Sequence, residues 1–148
     1  WKGGREKAPA AICRKVAYVP PSGGSVEVWG DGKQTRSFLF IDECIEATRR
    51  LMDSDFQGPV NIGSEEMVTI DELVDITARV ANKVVTKVYD LSAPRGVMGR
   101  NSNNDLIRKE LGWDYEQSLE EGIKKTYGWI SWEISKEMYS EENTTTLV

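Results

Sequence analysis

Histidine is absent from the 148 residues, and cysteine occurs twice, as Cys13 and Cys44. Without histidine the chain cannot form a Ser-His-Asp triad or a Cys-His dyad from its own residues. The two cysteines do not have the spacing of a zinc site, so we predict no metal site. So few cysteines are typical of reduced thiols, which predicts a cytoplasmic protein.

Long apolar runs and a signal-like start are also lacking, so we expect no membrane partner. Hydrophobic residues make up 39% of the chain and charged residues 29%, as in ordinary soluble globular proteins. This length suits a single domain with its own core. Because the chain begins with Trp1 rather than Met, we interpret it as a piece of a longer protein.

The formal net charge of −5 is unevenly distributed. Residues 1–36 carry seven basic and three acidic side chains, a balance of +4, whereas the rest of the chain has a balance of −9. A local positive surface on an acidic protein favours a small anionic ligand. DNA or RNA would require a broader basic face, so we predict no nucleic-acid partner.

The stretch 29–38 organises the rest of the chain. Residues 26–29 alternate β-branched or aromatic side chains with polar ones, which predicts a strand. Gly30-Asp31-Gly32 supplies turn residues, and the strand pattern resumes at 37–41. We therefore predict a hairpin.

Gln34, Thr35 and Arg36 would leave this turn together and present an amide, a hydroxyl and a guanidinium group. An arginine on a stiff turn is suited to gripping phosphate or carboxylate. The alternative interpretation is a solvated hairpin tip.

The remaining patterns predict an α/β protein. Helices are expected at 9–17, 43–52, 70–81, 104–111 and from 119 onward, and strands at 60–62 and 84–89. The order strand, helix, strand predicts a right-handed parallel crossover between 60–62 and 84–89. Residues 140–148 are expected to form a frayed polar tail.

Specific residues are predicted to fix and pack these helices. Asp42 is the expected N-cap of the second helix, and the third and last helices each begin with a capping box, Thr69 with Glu72 and Ser118 with Glu121. We expect apolar residues at helical spacing to be buried. In the second helix these are Cys44, Ile45, Thr48, Leu51 and Met52.

Few residues are candidates for chemistry. Lys7 lies on a loop just ahead of the first helix and is the candidate proton donor, although a lysine there is usually a solvated charge. Arg36 and Arg100 lie on separate glycine-flanked loops that can converge on one diphosphate, and Lys15 can join them. The turn at 30–32 lacks the further glycine and following helix of a dinucleotide motif. We therefore expect no cofactor pyrophosphate to be bound here.

A series of motifs resembles the C-terminal half of extended short-chain dehydrogenases that act on nucleotide sugars. These motifs are Gly30-Asp31-Gly32-x-Gln34-Thr35-Arg36-x-Phe38, Asp42, Val60-Asn61-Ile62-Gly63-Ser64 and Leu111-Gly112-Trp113. The long opening run from Trp1 to Ala11, together with Cys13-Arg14-Lys15, Ser54-Asp55-Phe56 and Gly99-Arg100-Asn101-Ser102, is similar more narrowly to the GDP-mannose 3,5-epimerases of plants.

This resemblance implies a substrate-binding domain over 1–139, with a small mixed sheet and helices, and with the Rossmann part absent. In that family a bound NAD oxidises carbon 4 of the hexose, protons on carbons 3 and 5 are exchanged, and the hydride returns. The family also implies a nucleotide-sugar substrate and a homodimer of the full-length protein. NAD would be bound mainly by the missing N-terminal domain, which would also carry the catalytic cysteine.

The resemblance also assigns roles to residues. Lys7 would be the acid of a Cys/Lys acid–base pair. The substrate contacts would be Glu6, Lys7, Ala8, Lys15, Gln34, Thr35, Arg36 and Arg100. The sequence departs from the family pattern at 20–24, at Met98, at Asn103 and in the tail, so a family contact in the tail has no counterpart here.

Two alternatives remain open. A sister enzyme, such as a nucleotide-sugar 4-epimerase, decarboxylase or dehydratase, would share Arg36 and Arg100 but would need no lysine at position 7. A non-catalytic nucleotide-binding or scaffold domain is the other. In each case we expect no turnover by the isolated chain, because it cannot hold NAD.

Overall fold

The computed structural model describes residues 1–4, 6–94 and 96–145, which contain five helices and five strands. The helices are α1 (Ala8–Tyr18), α2 (Ile41–Met52), α3 (Ile70–Ala81), α4 (Asp105–Leu111) and α5 (Leu119–Thr145), and the strands are β1 (Gly24–Trp29), β2 (Thr35–Ser37), β3 (Met67–Thr69), β4 (Val85–Asp90) and β5 (Gly99–Arg100). The predicted α/β class, with small sheets and helices, is confirmed. Helix α5 extends into the predicted tail as far as Thr145, and 146–148 lie outside the described residues.

The strands form two small sheets. In the first, β1 and β4 run parallel, with Gly24 opposite Val85 and Trp29 opposite Asp90. In the second, β2 lies at the centre, antiparallel to β3 and parallel to β5.

The predicted hairpin of β1 and β2 is wrong, because the two strands belong to different sheets. The backbone N–H of Gly30 still donates to the carbonyl of Asp90 in the first sheet (2.8 Å). The N–H of Thr35 already donates to the carbonyl of Met98, beside β5 (2.8 Å). The turn therefore carries the chain from one sheet to the other.

The predicted strand at 60–62 and its crossover to β4 are also wrong. Residues 60–62 form no strand, and β4 pairs with β1. Side-chain amides, rather than the backbone hydrogen bonds of a sheet, hold this segment. Asn61 Nδ2 donates to the carbonyl of Asn103 (3.4 Å), and Asn104 Nδ2 donates to the carbonyl of Gly63 (2.8 Å). A strand-like pattern of residues is thus held as a loop.

The main core lies between α1, α3, α5 and the inner face of β1. Its buried members include Ile12, Cys13, Val16, Val26, Val28, Leu73, Val74, Ile123 and Ile130. Ile12 and Val16, one turn apart on α1, form a buried ridge. A second cluster joins Ala47 of α2, Ile107 of α4 and Trp113.

The predicted apolar stripe of α2 is wrong for Ile45, Thr48 and Met52, which are exposed, whereas Cys44 and Leu51 are half-buried. Of this helix only Ala47 is fully buried, whereas Ile45 is 58% exposed and Met52 is 80% exposed. Helix α2 touches the second cluster through the face that carries Ala47. The face with Ile45 and Met52 points away from that cluster.

Helix α2 also begins differently from the prediction. Phe40, not Asp42, is its N-cap, and it contributes no side-chain cap. Asp42 lies within the first turn, where a carboxylate still favours the helix dipole. Glu43 Oε1 accepts the backbone N–H groups of Glu116 and Gln117 (2.6 and 2.9 Å), which ties α2 to the start of α5.

Both predicted capping boxes are confirmed. Thr69 Oγ1 accepts the N–H of Glu72 (3.0 Å), while Glu72 Oε2 accepts the N–H of Thr69 (2.7 Å). Ser118 and Glu121 repeat this exchange at the start of α5 (2.9 and 3.3 Å). Within the described ranges, none of the helices is long and apolar enough to cross a membrane.

The turn between β1 and β2 is fastened to the start of α3. Gly30 and Gly32 both adopt positive φ (78° and 72°), and the N–H of Lys33 donates to Asp31 Oδ1 (3.2 Å). The N–H of Asp71 donates to the carbonyl of Gly32 (3.0 Å). A Cβ atom at Gly32 would lie 2.5 Å from Asp71 Cγ, so the close approach requires glycine.

An ionic network ties residues 63–65 to α4. Arg108 Nη2 contacts Glu65 Oε2 (2.6 Å) and its Nε contacts Asp114 Oδ2 (2.7 Å). Hydrogen bonds from Arg108 hold the pKa of both carboxyl groups below the ordinary value. The backbone N–H of buried Asn104 also donates to Glu65 Oε1 (2.8 Å), so α4 and this segment form one unit.

Gly32→Ala should lower the free energy of unfolding by about 2 kcal/mol or more, because the backbone is strained and Asp71 cannot move away freely. The Tyr89 hydroxyl holds the Asp71 carboxylate (3.0 and 3.1 Å). Urea unfolding measures the change. Gly112→Ala is the matched control, since Gly112 also has positive φ (59°) but a Cβ there meets no atom within 4 Å. Equal stability of the two variants would contradict the close-approach argument.

Arg108→Gln should destabilise the protein in a pH-dependent way. Because the folded-state pKa values of Glu65 and Asp114 are lowered, their contribution is present above the ordinary carboxyl pKa and is lost as pH falls through the folded values. The difference in unfolding free energy between wild type and variant should therefore be largest near neutral pH and shrink in acid, as measured by urea unfolding at several pH values. Lys136→Gln, which breaks a pair with Glu133 on the surface of α5, is the control. A difference that stays constant with pH would count against the network.

Candidate functional site

Strands β2 and β5 bring two arginines side by side. Arg36 and Arg100 are register partners in this parallel pair. Neighbouring strands lie about 4.8 Å apart, and residues in register point to the same face of the sheet. Two arginines that are far apart in the sequence therefore leave the same face as neighbours.

Both arginines line one cavity of about 320 Å³. Its other lining residues are Ser37, Leu39, Asn61, Ile62, Gly63, Ser64, Asn101 and Ser102. These residues include amide and hydroxyl groups but no carboxylate. The cavity therefore has two positive charges, neutral hydrogen-bonding groups and no negative charge on its lining, which suits an anion.

The two guanidinium groups are held differently. Arg36 Nη1 donates to the carbonyl of Thr35 (2.6 Å) and Nη2 donates to that of Val97 (2.5 Å), so the half-buried side chain has a fixed orientation. Arg100 is exposed, and its side chain has no hydrogen bond or ion pair within the described ranges. One guanidinium is thus preorganised, and the other can adjust to a ligand.

The far wall of the cavity depends on Gly63. A Cβ atom there would lie 2.6 Å from Ser102 Cβ, so only glycine lets the segments 61–64 and 101–102 meet. The N–H of Ser102 donates to the carbonyl of Ser64 (3.3 Å), which joins the segments. Sequence reasoning did not identify these wall residues as a site, although Gly63 and the polar run 101–104 were the available signal.

The structure places Gln34 and Thr35 differently from the prediction. Gln34 is only 4% exposed, so its amide is not presented to solvent, and its Oε1 has no hydrogen-bond partner within the described part of the chain. The hydroxyl of Thr35 donates to the carbonyl of Met98 (3.4 Å). Of the three groups that were expected to leave the turn together, only the guanidinium of Arg36 faces the cavity. The roles of Gln34 and Thr35 in substrate binding stay predictions.

Lys7 is the N-cap residue of α1, with an exposed side chain. Its carbonyl accepts the N–H of Ala11 (3.0 Å), and Ala8 is the first residue of the helix. Pro9 lines a second cavity, of about 150 Å³, between the start of α1, residues 38–41 and α5. Leu39, which follows β2, lines both cavities. The start of α1, directly after Lys7, therefore lies close to the residues that follow β2.

The side chains of Glu6 and Lys15 form contacts with other residues of the chain. Glu6 Oε1 accepts from Arg14 Nη2 (2.7 Å). Lys15 Nζ donates to the backbone carbonyl of Glu27 on β1 (2.8 Å), and lies 6.0 Å from the ring centre of Trp29. The structure does not bring Lys15 to the lining of the arginine cavity.

Cys13 is a poor candidate for chemistry. Cys13 is fully buried in the main core, and burial raises the pKa of its thiol to about 12. It is therefore not the thiolate nucleophile or base that catalysis requires at neutral pH. In the described part of the chain, no group of three or more His, Cys, Asp or Glu side chains is arranged to hold a metal ion.

Comparison with known proteins gives the family. The model of the NAD dependent epimerase/dehydratase family matches residues 2–63. GDP-mannose 3,5-epimerase of Arabidopsis thaliana is 51% identical over 137 residues, which cover 93% of this chain and 35% of that protein. The chain therefore spans about a third of the length of this curated relative.

Solved structures share the fold. UDP-glucose 4-epimerase from Thermotoga maritima, solved with UDP-glucose, superposes with a TM-score of 0.78 at 23% identity, over 88% of this chain and 41% of that one. UDP-glucuronic acid 4-epimerase from Bacillus cereus, solved with a nucleotide sugar and NAD, gives 0.75 at 23% identity, over 84% and 40%. Sequence and fold thus agree with the resemblance carried by the motifs, and the chain belongs to the NAD dependent epimerase/dehydratase family of extended short-chain dehydrogenases.

Proposed function

We propose that this chain is the substrate-binding part of an NAD-dependent epimerase that converts GDP-D-mannose to GDP-L-galactose by acid–base exchange at carbons 3 and 5. The observation that carries the proposal is the pairing of Arg36 with Arg100 on one cavity without a lining carboxylate. The 51% identity to the Arabidopsis thaliana enzyme supports the choice of GDP-mannose among nucleotide sugars.

The arginine cavity would bind the diphosphate. Each guanidinium is a planar fork of N–H donors that matches phosphate oxygens. Arg36 uses part of its fork on the carbonyls of Thr35 and Val97, and the remaining donors are free for the ligand. Charge-assisted hydrogen bonds of this kind contribute about 1.5–3 kcal/mol each. The asparagine and serine side chains on the wall would add neutral donors and acceptors around the same anion.

Lys7 would supply the proton. Its ammonium group is exposed at the start of α1, and its backbone is fixed by the first helical hydrogen bond. In the proposed reaction a base removes a proton from carbon 3 or 5, and Lys7 returns one on the opposite face, which inverts that carbon. The base, a cysteine in the resemblance, would come from outside these 148 residues.

The turn at 30–32 does not fit the pyrophosphate of NAD. The turn at 30–32 is followed by β2 rather than by a helix, and the Asp71 carboxylate fills the space against Gly32. A dinucleotide turn requires open glycine and a helix N-terminus at this point. We propose that NAD, which the family's name implies, is held mainly by a domain outside this chain.

Two further properties belong to the same proposal. The full-length protein would be a homodimer, as the resemblance implies. It would work in the cytoplasm, as the reduced cysteines indicate.

Arg100→Ala should weaken binding of GDP by about 10- to 100-fold, because one charge-assisted contact to the diphosphate is lost. Arg36→Lys should weaken it less than Arg36→Ala, since the charge remains but the fork does not. Isothermal titration calorimetry with GDP, and with guanosine for comparison, measures both. Arg50→Ala on α2, whose arginine pairs only with Glu46 among the described residues, is the control. Unchanged GDP affinity in Arg100→Ala would refute the diphosphate assignment.

Lys7→Ala in the full-length protein should abolish deuterium uptake from solvent at carbons 3 and 5 of the sugar, while binding of GDP-mannose persists. The reason is that the proton donor is removed and the diphosphate site is not. Mass spectrometry or NMR of the recovered sugar nucleotide gives the uptake, with Lys33→Ala on the exposed turn as a control.

Exchange at the normal rate in Lys7→Ala would favour a sister enzyme that shares the arginines but needs no acid at this position. The 148-residue chain alone, given NAD and GDP-mannose, should show no uptake. Measurable uptake by it would contradict the assignment of NAD to another domain.

A further inference from the structure

One ion pair lies directly ahead of Lys7. Arg14, in the middle of α1, donates from Nη2 to Glu6 Oε1 at 2.7 Å. The side chain of Glu6 is only 9% exposed and that of Arg14 is 26% exposed, so most of the pair is removed from water. Most of the other ion pairs between described residues have more exposed side chains. Solvent therefore screens the Arg14–Glu6 pair less than it screens those pairs.

The same guanidinium lies near a second point of the loop. A Cβ atom at Gly3 would lie 3.8 Å from Arg14 Cζ, which places the guanidinium beside Gly3. The contact that holds the chain is the one to Glu6, on the N-terminal side of Lys7. We call this ion pair the Arg14 clasp.

The clasp is anchored in the core. Ile12, Cys13 and Val16 of α1 are between 0% and 6% exposed, so the helix that carries Arg14 is fixed by packing on both sides of it. The backbone N–H of Glu6 and the Arg14 guanidinium both hold the pKa of the Glu6 carboxyl below its ordinary value, so the carboxylate is charged at neutral pH. Removing one partner of a shielded pair destabilises the structure, because the remaining charge is left without its partner.

Lys7 is therefore held from both directions. The clasp fixes the residue before it, and its own carbonyl is fixed by the N–H of Ala11 (3.0 Å). The ammonium group is exposed and takes no part in either contact. An acid must reach the reacting carbon within hydrogen-bond distance, and an error of about 1 Å in its position can cost on the order of 100-fold in rate.

We propose that Arg14 is a positioning residue, which places the Lys7 ammonium group by holding the loop through its ion pair with Glu6. The inference rests on the proposed function, since it takes Lys7 as the acid. It also gives the Glu6 carboxylate a second use: the carboxylate holds the loop, whatever contacts Glu6 makes with substrate.

A double-mutant cycle in the full-length protein tests the clasp. Arg14→Gln and Glu6→Gln should each lower kcat for deuterium uptake at carbons 3 and 5 by about 10- to 100-fold, and in Arg14→Gln the KM for GDP-mannose should change less than about threefold. The double variant should be no slower than the slower single variant, because both changes open the same clasp. Arg14→Lys should recover part of the rate. The pH profile of kcat should keep its shape in Arg14→Gln, since the acid itself is unchanged.

Arg79→Gln is the matched control. It breaks an ion pair of similar length, 2.8 Å to Glu120, but at an exposed position between α3 and α5. Its kcat should stay within about twofold of wild type, as expected for a surface pair.

The outcomes separate the inference from the function on which it rests. A wild-type protein without uptake would overturn the proposed function, and the positioning role with it. Uptake by wild type with unchanged kcat in Arg14→Gln, or with fully additive losses in the double variant, would overturn the positioning role alone. A loss in Arg14→Gln expressed in KM rather than kcat would also overturn it, because Arg14 would then act on substrate binding.

Amide hydrogen exchange on the full-length protein without substrate gives a readout that does not depend on turnover. Arg14→Gln should speed exchange at the Glu6 amide, because the loop is no longer held by the ion pair, without changing exchange in the α3 interior. Unchanged exchange at Glu6 would show that the loop is ordered without Arg14, and would overturn the clasp.

Discussion

The pairing of β2 with β5 is the constraint on which the candidate site depends. Both strands are short, and β5 has only two residues, Gly99 and Arg100. Their parallel register is nevertheless sufficient to bring Arg36 and Arg100 to one cavity. Arg36 itself reinforces the pairing, since its guanidinium donates to the carbonyl of Val97, just before β5. Charge placement and strand pairing are thus parts of one arrangement.

Other parts of the fold hold in place the segments that form the cavity. The turn at 30–32 connects the first sheet to the second, and it is hydrogen-bonded to the start of α3. The segment 61–64 lies against 101–102 because Gly63 has no side chain, and the Arg108 network fixes it from behind. The main core of α1, α3 and α5 does not line the cavity, but it holds the helix from which the loop of Lys7 departs.

Local signals predicted much of the fold. Helix positions, both capping boxes and the buried ridge of α1 follow from residue spacing and hydrogen-bonding groups close in sequence. What failed was pairing over distance. The hairpin was wrong because β1 and β2 find their partners in β4 and β5, which lie far along the chain. The α2 stripe was wrong because helical spacing identifies an apolar face but does not say which face meets the core.

The site divides in the same way. Arginines on glycine-flanked loops could be selected from sequence as anion contacts, and the fold brings Arg36 and Arg100 together. The burial of Gln34 and the partner of Lys15 on β1 depend on the second sheet and on the packing of α1, which no local pattern specifies. The asparagines and serines of the wall are ordinary loop residues until Gly63 lets two segments touch.

The brevity of β5 has a thermodynamic consequence. A two-residue edge strand has few hydrogen bonds of its own, so the segment that carries Arg100 is ordered chiefly through its neighbours. An anion that bridges Arg36 and Arg100 would cross-link this edge to the sheet centre. Part of its binding free energy would then be used to order this edge. A variant with a less stable sheet edge would therefore bind the anion more weakly.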